Sequence, residues 1–122
     1  MKKRVLIIDD EEGIRKNYKR FFHALGPTLF EVIEASNAIE ATNYIIREKV
    51  DIIILDIQMP NIDGQLMYEV IKEYNPDIKV IVASVYPIDQ QKRMIPFASD
   101  YFDKSQGPTK LLEKVSQALS AV

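Results

Sequence analysis

The chain of 122 residues contains no cysteine and a single histidine. The absence of cysteine excludes disulfide bonds, zinc sites with thiolate ligands and a cysteine nucleophile. Glycine and proline are also scarce, with 4 and 6 residues, which argues against a disordered or low-complexity chain. No apolar run approaches the ~18 residues of a membrane-spanning helix, and the apolar run after Lys2–Arg4 is too short for a signal peptide. We therefore expect a cytoplasmic protein without a membrane partner.

The composition is that of an ordinary globular domain. Hydrophobic residues make up 47% of the chain and charged residues 28%. The net charge of −2 gives no electrostatic reason to bind nucleic acid directly. The length suits one hydrophobic core, so we expect a single domain over residues 1–122 with no output domain in this chain.

Two apolar runs each end on carboxylates. Val5–Ile8 leads into Asp9 and Asp10, and Ile52–Leu55 leads into Asp56. If both runs are neighbouring parallel strands, the three acids converge at the sheet edge where open α/β folds place their ligand sites. Carboxylates about 4 to 5 Å apart repel each other by roughly 1 to 4 kcal/mol per pair. Such a cluster needs a cation or a shifted protonation state.

The rest of the chain alternates between short apolar runs, typical of buried strands, and segments with helical spacing. This βαβαβαβαβα order predicts a flavodoxin-like, doubly wound α/β fold with a parallel sheet in the order 2-1-3-4-5 and helices on both faces. The first and third strands are then neighbours, so the three acids meet. The predicted strands are Arg4–Asp9, Phe30–Glu34, Asp51–Leu55, Ile78–Ala83 and Asp100–Phe102. The predicted helices are Ile14–Leu25, Asn37–Ile45, Leu66–Tyr74, Ile88–Ile95 and Pro108–Leu119.

Polar residues at the ends of four predicted strands form a recognisable set. Together they resemble the receiver domain of two-component response regulators, of the chemotaxis-regulator type, and the resemblance covers the whole chain. The residues that carry it are Asp9, Asp10, Asp56, the segment Met59–Gly64, Ser84 and Lys104.

The resemblance implies a role for each acid. Asp56 would be the phosphoacceptor, a carboxylate nucleophile that forms an acyl phosphate. Asp10, Asp56 and the backbone carbonyl of Gln58 would coordinate Mg²⁺, with Asp9 acting mostly through a bound water. Magnesium suits this set because it takes hard oxygen ligands and relieves the repulsion between the acids.

The resemblance also implies catalytic and switch residues. Lys104 and Ser84 would neutralise charge on the phosphoryl group during transfer. Ser84 would then move toward that group, and Tyr101 would rotate into the space it leaves. The phosphoryl group would come from a histidine kinase or a phosphotransfer protein. The phosphorylated domain would then act on a downstream protein or a fused output domain. The chain would be a monomer or a weak dimer. It would not be an enzyme in the usual sense, because it would catalyse only its own phosphorylation and dephosphorylation.

The chain departs from the family pattern around this set. Ser105 replaces the usual proline after Lys104, and a trans peptide bond is expected there because cis bonds are rare without proline. Val85 stands where the family prefers a smaller residue. The segment from Ser84 to Lys104 is shorter than usual, which predicts a short or distorted fourth helix.

Gln58 and Tyr86 occupy variable positions that tune the phosphoryl lifetime in the family. We expect slow loss of the phosphoryl group, since Tyr86 and Val85 are bulky enough to hinder an attacking water.

Other functions fit less well. An aspartate-nucleophile phosphohydrolase needs a second carboxylate two residues after the nucleophile, where this chain has Gln58. The glycines match neither dinucleotide-binding nor P-loop spacing. A phosphorylation-independent binding module with the same fold remains open because of Val85 and Ser105. His23 is interpreted as a solvated side chain, and Gly64 as a residue that shapes the loop beside the site.

Overall fold

In the computed structural model, which describes residues 2–60 and 63–120, five strands alternate with five helices. All pairings are parallel and the sheet order is 2-1-3-4-5, which confirms the predicted fold. Within these residues, no helix combines the length and the apolar composition needed to cross a membrane. The strands are β1 (Lys3–Ile8), β2 (Phe30–Ala35), β3 (Ile52–Asp56), β4 (Lys79–Ser84) and β5 (Asp100–Asp103). The helices are α1 (Glu12–Leu25), α2 (Ala38–Arg47), α3 (Gly64–Tyr74), α4 (Ile88–Met94) and α5 (Pro108–Ser120), and Lys104–Gln106 forms a 3₁₀ turn.

The strand ends differ from the predicted ones by one residue at the edge that carries the acids. Asp9 was predicted to close the first strand but lies just beyond β1, whereas Asp56 is the last residue of β3. The Asp9 N–H still donates to Ala35 O at 3.1 Å. Its carboxylate, however, accepts the Glu11 N–H at 2.9 Å, and this turn directs the chain into α1.

The core lies on both faces of the sheet. β1, β3 and β4 occupy the centre and are apolar except for polar residues at their ends, and their alternate side chains face opposite sides of the sheet. On one face the strands pack against α1 and α5 through Tyr18, Phe22, Leu111 and Val115. On the other they pack against α2, α3 and the end of α4, mainly through Ala41, Ile45, Met67, Ile71 and Ile95, which directly follows α4.

Two helices begin at or next to the predicted residue. Asn37, where the second helix was predicted to begin, accepts the Glu40 N–H at 2.9 Å through its side chain and caps α2. Pro108 is the first residue of α5.

Only part of the apolar stripe that predicts α3 is buried. Met67 and Ile71, four residues apart, face the sheet and are 4% and 0% exposed. Leu66, Val70 and Tyr74 are 57%, 40% and 54% exposed. Because each residue turns a helix by about 100°, a stripe of this width is broader than the contact with the sheet. The periodicity therefore identifies the helix without identifying which residues are buried.

The segment after α4 is strained. As expected, α4 is short, with 7 residues. Phe97 then adopts a φ of 72°, a left-handed conformation that a bulky residue rarely takes. Its carbonyl accepts the Tyr68 hydroxyl at 2.9 Å, which fixes the turn to α3. No peptide bond in the described part of the chain is cis, so the bond between Lys104 and Ser105 is trans, as predicted.

We predict that Phe97→Gly stabilises the protein. The left-handed conformation costs an L-residue roughly 1–2 kcal/mol, about half of which glycine returns through its greater freedom in the unfolded chain. The Phe97 side chain is 92% exposed, so little packing is lost. Urea unfolding should show a gain of about 0.5–1 kcal/mol in the free energy of unfolding.

Gly107→Ala is the matched control. Gly107 has a φ of 83° and nothing within 4 Å of an added Cβ, so only the backbone conformation is tested. This change should destabilise the protein by about 1 kcal/mol or more. A loss of stability in Phe97→Gly would show that the phenyl ring makes a stabilising contact.

Candidate functional site

The three predicted acids meet at one edge of the sheet. Asp9 follows β1 and Asp56 ends β3, and these strands are direct neighbours. Asp9, Asp10 and Asp56 each offer a carboxylate oxygen, and the three oxygens lie within 4.8 Å of one another. Asp9 and Asp56 are each only 2% exposed, whereas Asp10 is exposed. The cluster therefore has two buried members and one that faces solvent.

Lys104 supplies the positive charge for the two buried acids. It begins the 3₁₀ turn after β5, two strands away from β3 in the sheet. Its Nζ lies 3.0 Å from Asp9 Oδ2 and 3.4 Å from Asp56 Oδ2. The lysine thus bridges both carboxylates.

The charges shift the ionisation of the groups at this edge. Burial raises the pKa of the Asp56 carboxyl, and the charge of Asp9 raises it further, against the lowering effects of the Gln58 N–H and Lys104. Burial alone would lower the pKa of Lys104, but the two carboxylates outweigh it and hold this pKa above its ordinary value. Tyr18, buried under the cluster, has its pKa raised to about 12 by burial and by the two acids. Lys104 therefore stays cationic, and the site holds more negative charge than its surroundings stabilise.

Backbone turns hold the buried carboxylates in place. The Gln58 N–H donates to Asp56 Oδ1 at 2.9 Å, the same arrangement that Glu11 makes with Asp9. Gly64 supports the Asp56 turn, because a Cβ at this position would lie 2.8 Å from the side chain of Ile57. This contact bears out the structural interpretation of Gly64.

Ser84 ends β4, next to Asp56, and is fully buried. Its hydroxyl donates to Gln58 Oε1 at 2.7 Å and accepts the Tyr86 N–H at 3.1 Å. The Val85 N–H donates to the same Gln58 oxygen at 3.0 Å, while the Val85 side chain is exposed. The hydrogen bonds of the Gln58 side chain were not predicted: the resemblance gave a ligand role to its backbone carbonyl and identified a variable position that tunes the phosphoryl lifetime, without these partners.

Tyr101 lies on β5, away from the acids and facing the α4 side of the sheet. It is 7% exposed, and its hydroxyl donates to Ile95 O at 2.5 Å and accepts the Ala98 N–H at 3.2 Å. The ring is therefore held inside, between β5 and the segment after α4.

Gln91 on α4 is another residue that the sequence did not single out. It is fully buried, and its Nε2 donates to Tyr86 O at 2.8 Å and to Phe102 O at 2.9 Å. This side chain ties α4 both to the loop after β4 and to β5.

The structure thus brings Asp9, Asp10, Asp56 and Lys104 together and places Ser84 beside them. Tyr101 lies apart from this group, and His23 is exposed in the last turn of α1, as interpreted from the sequence. A buried carboxylate with a lysine at 3.4 Å can act as a nucleophile toward an electrophile that carries negative charge. Three oxygen donors within 4.8 Å also form a ligand set suited to a hard divalent cation.

Comparison with known proteins identifies the family. Residues 5–116 match the model of the response regulator receiver domain. Sporulation initiation phosphotransferase F of Bacillus subtilis is 29% identical over 86 residues, which cover 70% of this chain and 67% of that protein. The chain spans between 10% and 67% of the length of the first three curated relatives that it matches.

Solved structures agree with this assignment. A CheY-like response regulator receiver domain from Methanospirillum hungatei superposes with a TM-score of 0.87 at 28% identity, covering 98% of this chain and 94% of that one. The response regulator TrrA of Thermotoga maritima, solved in complex with Mg²⁺-BeF, gives a TM-score of 0.80 at 32% identity and covers 96% of this chain and 99% of that one. With its acids, its lysine and its hydroxyl at the strand ends of this fold, the chain belongs to the family of response regulator receiver domains of two-component systems.

Proposed function

We propose that this chain is a phosphorylation-dependent signalling switch in which Asp56 accepts the phosphoryl group. The observation that supports this most strongly is the position of Lys104, whose Nζ lies 3.0 Å from Asp9 and 3.4 Å from Asp56 at a buried sheet edge. A structural ion pair needs one carboxylate, whereas this lysine faces two. The remaining negative charge makes the site a place for a cation and an electrophilic phosphoryl group.

The chemical step requires no base, because the nucleophile is already an anion. An Asp56 carboxylate oxygen forms the new bond to phosphorus. The bond from phosphorus to the donor breaks, and the donor atom keeps the electron pair: a histidine nitrogen in a kinase or phosphotransfer protein, or a carboxylate oxygen in an acyl phosphate. Lys104 stabilises the charge on the phosphoryl oxygens during transfer. The chain catalyses only its own modification and its reversal.

The acids fit the requirements of Mg²⁺. Asp9, Asp10 and Asp56 would hold the ion, together with the backbone carbonyl of Gln58, and Asp10 is exposed to receive it from solvent. When bound, the ion adds positive charge next to the phosphoryl oxygens and offsets the repulsion between the acids.

The output would be a change of surface around α4 and β5. Ser84 and Tyr101 are the proposed switch residues, and both are buried on elements that contact α4 or β5. Redistribution between two packings needs a phosphoryl group that binds one of them more strongly than the other. The phosphoryl donor would be a histidine kinase or phosphotransfer protein, and the changed surface would bind a downstream protein or an output domain.

The first prediction from the proposed function concerns phosphorylation itself. Incubation with acetyl phosphate and Mg²⁺ should add one phosphoryl group by intact mass, because Asp56 is a preorganised carboxylate nucleophile. Asp56→Asn should abolish the addition, and Asp77→Asn, at an exposed position on the opposite edge of the sheet, should retain it. If wild type stays unmodified with acetyl phosphate and with phosphorylated donor proteins, the phosphorylation-independent binding module is the better description.

A second prediction concerns Lys104. Lys104→Met keeps the length of the side chain but removes its charge, and should slow phosphorylation by acetyl phosphate roughly 100-fold, as loss of a transition-state charge partner does elsewhere. Lys110→Met is the matched control, because Lys110 is exposed on α5 and, among the residues that the structure describes, forms an ion pair only with the neighbouring Glu113 at 3.4 Å. Equal rates in the two variants would remove Lys104 from the proposed mechanism.

A third prediction concerns the free energy of unfolding, which the buried acids of the site are expected to lower. Asp56 is a buried carboxylate next to a second one, so Asp56→Asn should raise the free energy of unfolding by about 1 kcal/mol in Mg²⁺-free buffer. Thermal unfolding should also show that Mg²⁺ stabilises wild type and Asp77→Asn more than Asp56→Asn. A destabilised Asp56→Asn in Mg²⁺-free buffer would mean that the Lys104 ion pair outweighs the repulsion.

A further inference from the structure

Two hydrogen-bond donors converge on one oxygen beside the proposed nucleophile. Ser84 Oγ and Val85 N lie 2.7 Å and 3.0 Å from Gln58 Oε1. We call the Ser84 hydroxyl and the Val85 N–H the donor pair. In the sheet, Asp56 is paired with Ala83, so the donor pair begins one residue beyond the position opposite the nucleophile.

The direction of both bonds follows from chemistry. The Val85 N–H can only donate, so the Gln58 atom that faces it is the carbonyl oxygen. The Ser84 oxygen accepts the Tyr86 N–H at 3.1 Å, which leaves its own proton for Gln58. The donor pair is therefore fully engaged by a neutral amide oxygen.

We propose that the Gln58 side chain is an internal placeholder for a phosphoryl oxygen. It occupies the donor pair in the resting protein and must leave before that pair can hold an oxygen of a phosphoryl group on Asp56. This inference rests on the proposed function, because it assumes that Asp56 is the phosphoacceptor. It assigns Gln58 a positioning role that limits how fast the site is modified.

Three features of the site support displacement. A phosphoryl oxygen is charged, and hydrogen bonds to charged acceptors are about twice as strong as those to a neutral amide. Gln58 is an exposed residue, so its side chain can move into solvent without leaving a cavity. Its backbone is held separately, by the N–H that donates to Asp56 Oδ1 at 2.9 Å, and need not move with the side chain.

The placeholder also preserves the site between signals. Ser84 is fully buried, and without the amide its hydroxyl proton would have no acceptor, which costs about 1–3 kcal/mol. The amide supplies that acceptor and keeps the two donors of the pair directed at one oxygen. As a consequence, the amide oxygen competes for the donor pair with the phosphoryl oxygen that the pair is proposed to bind.

Side-chain variants separate hydrogen bonding from bulk. Gln58→Met has a similar size but no comparable acceptor, and Gln58→Ala removes both bulk and acceptor. We expect acetyl phosphate to modify both variants about 3- to 10-fold faster than wild type, which corresponds to the loss of one or two competing hydrogen bonds. If bulk alone mattered, Gln58→Ala would be faster and Gln58→Met would match wild type, and that result would overturn the proposal.

Two further measurements complete the test. Beryllium fluoride with Mg²⁺ should bind Gln58→Met more tightly than wild type by a similar factor, and Ser84→Ala should reduce the effect of Gln58→Met on both rate and binding. Hydrogen exchange of the Val85 amide should be faster in unmodified Gln58→Met than in wild type, because its acceptor is gone.

The outcomes distinguish the two proposals. If wild type is modified or binds beryllium fluoride but Gln58→Met shows no gain, the placeholder is refuted and the switch function stands. If neither wild type nor any variant is modified or binds beryllium fluoride, both proposals fail. Unchanged Val85 exchange in Gln58→Met would show that the amide does not hold the donor pair in solution.

Discussion

Two buried carboxylates can share one sheet edge here because a lysine from the far side of the sheet lies between them. Asp9 and Asp56 are held by β1 and β3, while Lys104 reaches them from the end of β5 with contacts of 3.0 Å and 3.4 Å. The ion pair joins residues 95 positions apart, so it forms only when β4 and β5 have completed the sheet. The positive charge that the two acids need therefore arrives only when the sheet is complete. Because one lysine faces two buried carboxylates, the site still has an excess of negative charge.

The fold was predictable because it is specified by local patterns. Uniformly apolar runs such as Ile52–Leu55 identify central strands, and strict alternation with helices leaves few possible topologies. The acids were predictable for the same reason, since the end of a buried strand has a known place in this architecture. The exposure of Leu66 and the hydrogen bonds that Gln58 accepts from Ser84 and Val85 could not be predicted in this way. Both depend on contacts between helices, strands and loops and not on spacing along the chain. No periodicity in the sequence distinguishes an amide that points to solvent from one that accepts two hydrogen bonds.

A hydrogen-bonded path leads from the site toward α4. The Ser84 hydroxyl accepts the Tyr86 N–H, and the Tyr86 carbonyl accepts Gln91 Nε2, which also donates to Phe102 O at 2.9 Å. Any displacement of Ser84 therefore alters the loop to which Gln91 is bonded. Gln91 Oε1 is buried and has no hydrogen-bond partner among the described residues, an arrangement that typically costs about 1–3 kcal/mol. An arrangement of α4 that satisfied this oxygen would be favoured by a similar amount.

Two exceptions to ordinary packing lie at α4 and directly after it. Gln91 on α4 carries an unsatisfied acceptor, and Phe97 directly after α4 holds a strained left-handed backbone. β3 is buried along its whole length, and so is the part of β1 that leads to the acids, Val5–Ile8. At the other end of β1, Arg4 Nε is also buried without a hydrogen-bond partner among the described residues. The proposed function would need a well-packed support for Asp56 and a partner-binding segment with alternative arrangements of similar free energy. The strain at Phe97 and the unpaired oxygen of Gln91 raise the free energy of this arrangement of the α4 side. In the proposed switch, a phosphoryl group on Asp56 would then need a smaller difference in binding free energy to favour a second arrangement.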